Sequence, residues 1–204
     1  MVLYTKIFKS RGFIGNLNRG TITVVAYLFG IFSSNQQILE YPFHIWALIP
    51  VLLIHDTNSN LIGAIRDVEG DQKGGYLTFP VKYGINISLV VSIVLSILYE
   101  TLLIISIVVF QFLQYPLRFY ALFIISPLIL IIMYVFLIWS RSTIDPRKAL
   151  RAHEFMVAER ITLASALIIG MTASYLLSLS IYIIAIGFSL ISQLVLRKRY
   201  EYVE

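Results

Sequence analysis

The 204-residue chain contains no cysteine. Disulfides, thiolate metal sites and cysteine nucleophiles are therefore excluded together. Charge is also scarce: 13% of the residues are Asp, Glu, Lys or Arg, against about a quarter in a typical soluble domain. With 58% hydrophobic residues and a mean hydropathy of +0.83, most of the chain is built for lipid rather than water. Low-complexity segments, a strong internal repeat and a linker that would mark a second domain are all missing, so residues 1–204 read as a single domain. Met1 to Gly20 holds Lys6, Lys9, Arg11 and Arg19 but no apolar stretch ahead of a small-residue cleavage site. That stretch is expected to belong to the body of the protein rather than to a secretory signal.

What the chain does have is long apolar runs. A membrane-crossing helix takes about 20 mostly apolar residues. Six runs qualify: Thr21–Ser33 (extended back towards Phe13), Phe43–Ile65, Ile85–Phe110, Leu117–Trp139, and two that divide Ala158–Leu196 at a turn near Leu177–Ser180. The fold class is therefore all-α and integral to the membrane, with about six transmembrane helices. Six crossings put both termini, the loop at 66–84 and the loop at 140–157 on one side. That side collects fifteen of the sixteen Lys and Arg residues, Arg141 among them, and leaves Arg118 opposite. Basic residues of short loops concentrate on the cytoplasmic side, so a multi-pass protein of the cell membrane with cytoplasmic termini is expected. The same topology explains the net charge of +5. Nucleic acid is not an expected partner, because the basic residues form no continuous stripe.

The chemically informative stretch begins at His55 and ends at Asp71, starting inside the second run and ending in the cytoplasmic loop. On a continuous helix Asn60, Asp67 and Asp71 would lie about 40°, 20° and 60° round from Asp56. Such a stripe of oxygen-bearing side chains is expected to wall a polar cavity, because ionisable groups at membrane depth are costly and face a cavity or the bundle interior. Carboxylates and amide oxygens suit a hard cation. Magnesium is typically held by one or two carboxylates plus substrate phosphates, and the i, i+4 spacing of Asp67 and Asp71 suits that mode. Arg66, Lys73 and Lys82 would neutralise remaining phosphate charge. Gly70, Gly74 and Gly75 would let the backbone turn closely. Taken alone, Glu69, Lys73 and Lys82 read as the solvated end of a helix.

Other polar residues have plainer readings. His44, near Tyr41 and Trp46, reads as an interface anchor. His153 and Glu154 are adjacent and point apart on a helix, which suits a cap or salt bridge better than a metal. Arg147, Lys148 and Arg151 read as topology-setting charges. Glu100, mid-span beside Tyr99, is either functional or hydrogen-bonded within the bundle.

Asn60 to Gly84 resembles the second aspartate-rich motif of the UbiA superfamily of intramembrane prenyltransferases: DxxxD, then a glycine, then T-x-P-V-x-x-G. The matching residues are Asp67, Asp71, Gly75, Thr78, Pro80, Val81 and Gly84. Tyr4–Asn16, with Lys9, Gly12, Phe13, Gly15 and Asn16, resembles the family's entry to a middle helix. Ala149–Leu163, with His153, Glu154, Glu159 and Arg160, resembles the loop before its last helices. The wording around Arg66–Asp71 is most similar to the archaeal ether-lipid branch.

The resemblance implies Mg-dependent transfer of a prenyl group from an allylic prenyl diphosphate to a hydrophobic or amphipathic acceptor, a lipid or a quinone or aromatic precursor, at the cytoplasmic face. It gives Asp67 and Asp71 the catalytic and metal-binding roles; Asp56 and Asn60 of the polar stripe, with the nearby Arg66 and Lys73, are then expected to form the substrate-binding wall. The family fold has nine helices and an earlier NDxxDxxxD motif, which this sequence does not contain. The expectation is a UbiA-like bundle lacking roughly its first three helices: a piece of a longer protein, a chain whose missing motif a partner supplies, or a degenerate relative. The alternative is a non-catalytic membrane subunit or carrier using the same polar cavity.

Overall fold

The computed structural model describes residues 8–33, 42–140 and 146–200. Tyr4, Lys6, Tyr41 and Arg141, which enter the readings above, lie outside the described residues. All regular structure among the described residues is helical: α1 (Phe13–Phe32), α2 (Phe43–Arg66), α3 (Val68–Lys73), α4 (Phe79–Tyr83), α5 (Ile85–Phe110), α6 (Pro116–Phe123), α7 (Ile125–Ser140), α8 (Pro146–Met171) and α9 (Tyr175–Tyr200). Helices satisfy every backbone polar group within one segment, which a lipid solvent demands. With α6 and α7 meeting at Ile124, the described residues form six long helical segments, each overlapping one of the six apolar runs. Four of them are long and apolar enough to cross a membrane: α2, α5, α6 with α7, and Tyr175–Val195 of α9. α1 and α8 are of similar length but more polar, carrying Asn16, Asn18 and Arg19 in one and Arg147 to Arg160 in the other.

The region of α8 differs from the sequence expectation: residues 146–157, read as part of a loop, and Ala149–Leu163 are helical from Pro146 onward. The chain turns between α8 and α9 at Thr172–Ser174, ahead of Leu177–Ser180. Hydroxyls rather than glycine or proline make this turn. Thr172 Oγ1 donates to the Ile168 carbonyl at 2.8 Å and lies 2.7 Å from Ser178 Oγ, which donates to the Ser174 carbonyl at 3.0 Å.

The chain divides into two compact units, 1–111 with 137–153, and 112–136 with 154–204. In the first, α2 is central and packs against both α1 and α5. More than half of its apolar window is buried by protein, whereas hardly any of α9 is. That burial explains how α2 can carry His55, Asp56, Thr57, Asn58 and Ser59, all buried, inside a membrane-length helix. α5 meets it through Ser92 and Ser96, small residues spaced by four of the kind that let two helices approach closely. Asn58 joins this face, accepting from Ser92 Oγ at 2.6 Å and donating to Ser96 Oγ at 2.8 Å. Asn58→Leu deletes both bonds and inserts a branched side chain into a fully buried position. It is expected to cost about 2 kcal/mol, read as a lowered unfolding midpoint by circular dichroism in detergent. An unchanged midpoint would show that α2 and α5 do not depend on this tie.

In the second unit, Ser126 Oγ donates to the buried Glu159 carboxylate at 2.9 Å, tying α7 to α8. Thr162 Oγ1 lies 3.3 Å from the Tyr182 hydroxyl, tying α8 to α9. The Tyr115 N–H donates to the Gly170 carbonyl at 2.8 Å. A Cβ at Gly170 would lie 2.8 Å from Phe119 Cβ, so this glycine allows α6 to sit tightly on α8.

Candidate functional site

The aspartate segment lies wholly in the first unit. α2 ends at Arg66 and α3 starts at Val68, with Asp67 as the joint at φ −93°, ψ 5°. The four oxygen-bearing residues therefore do not share one straight helix, as the 100° spacing supposed. The i, i+4 relation survives the break, because the Asp71 N–H donates to the Asp67 carbonyl at 2.8 Å. The two carboxylates consequently stay one turn apart while facing different surroundings.

Asp67 faces outward, with 45% of its side chain exposed. It accepts a two-pronged bond from the adjacent Arg66, Nε to Oδ1 at 2.7 Å and Nη2 to Oδ2 at 3.0 Å. Asp71 faces inward and is 3% exposed. Lys9 Nζ reaches its Oδ1 at 2.6 Å, while Oδ2 is buried with no hydrogen-bond partner. Lys9 also sits over the Tyr76 ring, 4.4 Å from its centroid.

The segment entering α1 is fastened to the same loop by backbone and rings. The Gly12 N–H donates to the Leu77 carbonyl at 3.2 Å, and Phe13 meets Phe79 edge-on with centroids 5.7 Å apart. Gly75 (φ 71°) and Gly84 (φ 83°) provide the left-handed backbone that closes the loop and starts α5. Gly70 and Gly74, expected to help the turn, adopt no such conformation. Thr78 begins α4 with its hydroxyl buried and unpaired, a second orphaned oxygen in the same loop.

The inner members of the polar set are tied to α1. Thr23 Oγ1 donates to Asp56 Oδ2 at 2.7 Å, and the Asn16 and Asn60 side-chain amides meet at 2.9 Å. Lys73 and Lys82 are exposed. Thus Asp56 and Asn60 are each tied to α1, Asp67 to the adjacent Arg66 and Asp71 to Lys9, while Lys73 is exposed on α3. Sequence reasoning missed Lys9 as the partner of Asp71, and Thr23 and Asn16 as the partners of Asp56 and Asn60. The available signal was the entry stretch with Lys9, Gly12 and Asn16, which was singled out without a partner. His153, by contrast, lies beside Gly63 of α2, where an added Cβ would be 3.6 Å from its Cδ2. It lies against α2 within the first unit.

Can this donor set accept magnesium? Among the described residues no three His, Asp or Glu side chains gather as a metal cage. Two carboxylates a turn apart fit the sparser mode, in which one or two carboxylates share the ion with phosphate oxygens. The orphaned Asp71 Oδ2 is the atom that such an ion would satisfy.

Residues 1–158 match the model of the UbiA prenyltransferase family. Over 98 residues, 48% of the chain, it is 34% identical to the digeranylgeranylglyceryl phosphate synthase of Methanobrevibacter smithii. Over the same length it is 29% identical to the enzyme of that name from Methanosphaera stadtmanae. Each match spans 34% of the relative's own length. No solved structure matches the chain. The apolar helices and the family match together make it a multi-pass membrane protein, and the chain belongs to the UbiA prenyltransferase family.

Proposed function

We propose that the chain carries one half of a prenyl diphosphate site, and that the prenyl group passes to an alcohol on a lipid glyceryl phosphate. The carrying observation is Asp71: a buried carboxylate with one oxygen on Lys9 and the other orphaned. Lys9 balances the charge, but a buried carboxylate oxygen left without a partner is costly until a donor or cation satisfies it. Asp71 through Oδ2, with Asp67, would hold magnesium, which when bound supplies positive charge against a leaving diphosphate. Asp67 is suited to this because its pair with Arg66 is half exposed and therefore weak. Arg66, once released, presents its fork to a phosphate. Lys9 keeps Asp71 neutralised in the absence of ligand, and Asp56 and Asn60, fixed by Thr23 and Asn16, hold the inner polar wall.

In the reaction the allylic carbon–oxygen bond breaks towards the diphosphate, the acceptor oxygen bonds to that carbon, and the acceptor hydroxyl proton is released. The acceptor class follows the names of the two archaeal relatives. The topological expectation places this loop at the cytoplasmic face, where a soluble diphosphate head can reach it.

The test is binding of geranylgeranyl diphosphate to the 204-residue chain in nanodiscs, with magnesium and with a chelator. Magnesium-dependent binding that Asp67→Asn weakens by about tenfold is expected. Failure of the chain to bind under either condition would sink the proposal. A carrier using the same cavity would instead show reagent access from both membrane faces.

A further inference from the structure

The second unit contains a cavity of about 390 Å³ lined by Leu117, Ala121, Leu122, Ile169 and Leu179 together with Arg118 and Tyr175. Its size is that of a small-ligand pocket, and its walls are aliphatic except for those last two residues. Arg118 is the single basic residue between Lys82 and Arg141, and 161–196 holds no charged residue at all. Its guanidinium lies 4.1 Å from the Tyr115 ring centroid and 5.3 Å from that of Tyr175. One of its nitrogens donates to the Ala173 carbonyl at 3.3 Å, and it forms no ion pair among the described residues.

A guanidinium stays charged at any accessible pH. Stacking on two rings steadies its plane and leaves N–H groups at the edge for an oxyanion, the geometry in which arginine grips phosphate. Tyrosines at a helix start and a helix turn are also the residues that settle at a membrane–water interface.

We propose that this pocket binds an anionic phospholipid, with its phosphate on the Arg118 fork and one hydrocarbon chain in the cavity. The charge selects the occupant: an aliphatic wall alone would accept any acyl chain, but an unpaired cation among rings selects an anionic head. The site uses no residue of the diphosphate loop and stands whether or not that loop binds a diphosphate.

Native mass spectrometry of the full chain, equilibrated in neutral detergent with phosphatidylglycerol or with diacylglycerol, which lacks the phosphate, tests it. The unmodified chain should retain one phosphatidylglycerol with about a tenfold preference over diacylglycerol, the size of one charge-assisted contact. Arg118→Gln should abolish that preference. Millimolar inorganic phosphate should not displace the lipid; displacement would show a free-phosphate site and overturn the lipid assignment. Ala121→Trp fills the cavity from an exposed position and should lower retention of phosphatidylglycerol without touching the cation. Should Arg118→Gln fail to fold by circular dichroism, this second variant decides the question. Equal retention of the two lipids by the unmodified chain, or retention unaffected by the decisive variant, would overturn the proposal.

Discussion

Asp71→Asn is expected to lower magnesium-dependent binding of geranylgeranyl diphosphate by at least about a hundredfold, an effect on the order of 3 kcal/mol for a buried charged contact. The change is nearly isosteric, so the turn from Asp67 to Tyr76 should persist: it rests on the Asp71 backbone, whose N–H meets the Asp67 carbonyl and whose carbonyl accepts from Tyr76. What disappears is the negative charge at Oδ2, the orphaned atom, and with it the reason for a cation to settle there. Stability should respond differently. Removing Lys9 from the unmodified chain strands a buried carboxylate, whereas removing it after Asp71→Asn strands only an amide. Lys9→Met should therefore cost about 2 kcal/mol more in the first background than in the second, the coupling a double-mutant cycle isolates. Binding of the diphosphate undiminished by Asp71→Asn would remove this residue from the site, whatever the stability cycle gave.

Much of the fold is legible in one dimension, for physical reasons that can be named. α5 runs from Ile85 to Phe110 as expected, because Gly84 ahead of it and Gln111 behind it, both at positive φ, punctuate an unbroken apolar run. α2 runs from Phe43 to Arg66, one residue past the expected end, because Pro42 precedes it and its polar middle is buried by neighbours. The break at Asp67 is not legible, since neither proline nor glycine marks it. The α8–α9 turn was misplaced because serines and threonines suit either a helix interior or a cap, and only their mutual hydrogen bonds settle which. Within the site, residue types carry the motif from Asp67 to Gly84, but partners separated along the chain do not announce themselves. Lys9 looked like a topology charge until its ammonium was found on Asp71. Ser92 and Ser96 carry no signal in the apolar run of α5; only the structure shows Asn58 bonded to both.

Gly20→Leu is expected to prevent α1 from seating on α2 and so to dismantle the candidate site from a distance. A Cβ built on Gly20 overlaps the Leu53 carbonyl oxygen and lies 2.5 Å from Thr57 Oγ1. The first obstacle is backbone within a buried helix and cannot rotate aside. Thr57 is held too, because its hydroxyl donates to that same carbonyl at 2.7 Å. Relief requires the two helices to separate. Even Gly20→Ala should then cost about 1–3 kcal/mol, the range for an overpacked contact. Separation has chemical consequences, because α1 supplies Thr23 to Asp56 and Asn16 to Asn60, and its entry segment supplies Lys9 to Asp71. A folded remnant of Gly20→Leu should therefore lose diphosphate binding although no residue of the loop is changed. Gly30, on the same helix with nothing within 4 Å of a built Cβ, is the internal control. Gly30→Leu should leave the unfolding midpoint unchanged or raise it slightly through helix propensity. If the two variants unfold alike in detergent, close packing at Gly20 is not what holds the polar wall in place.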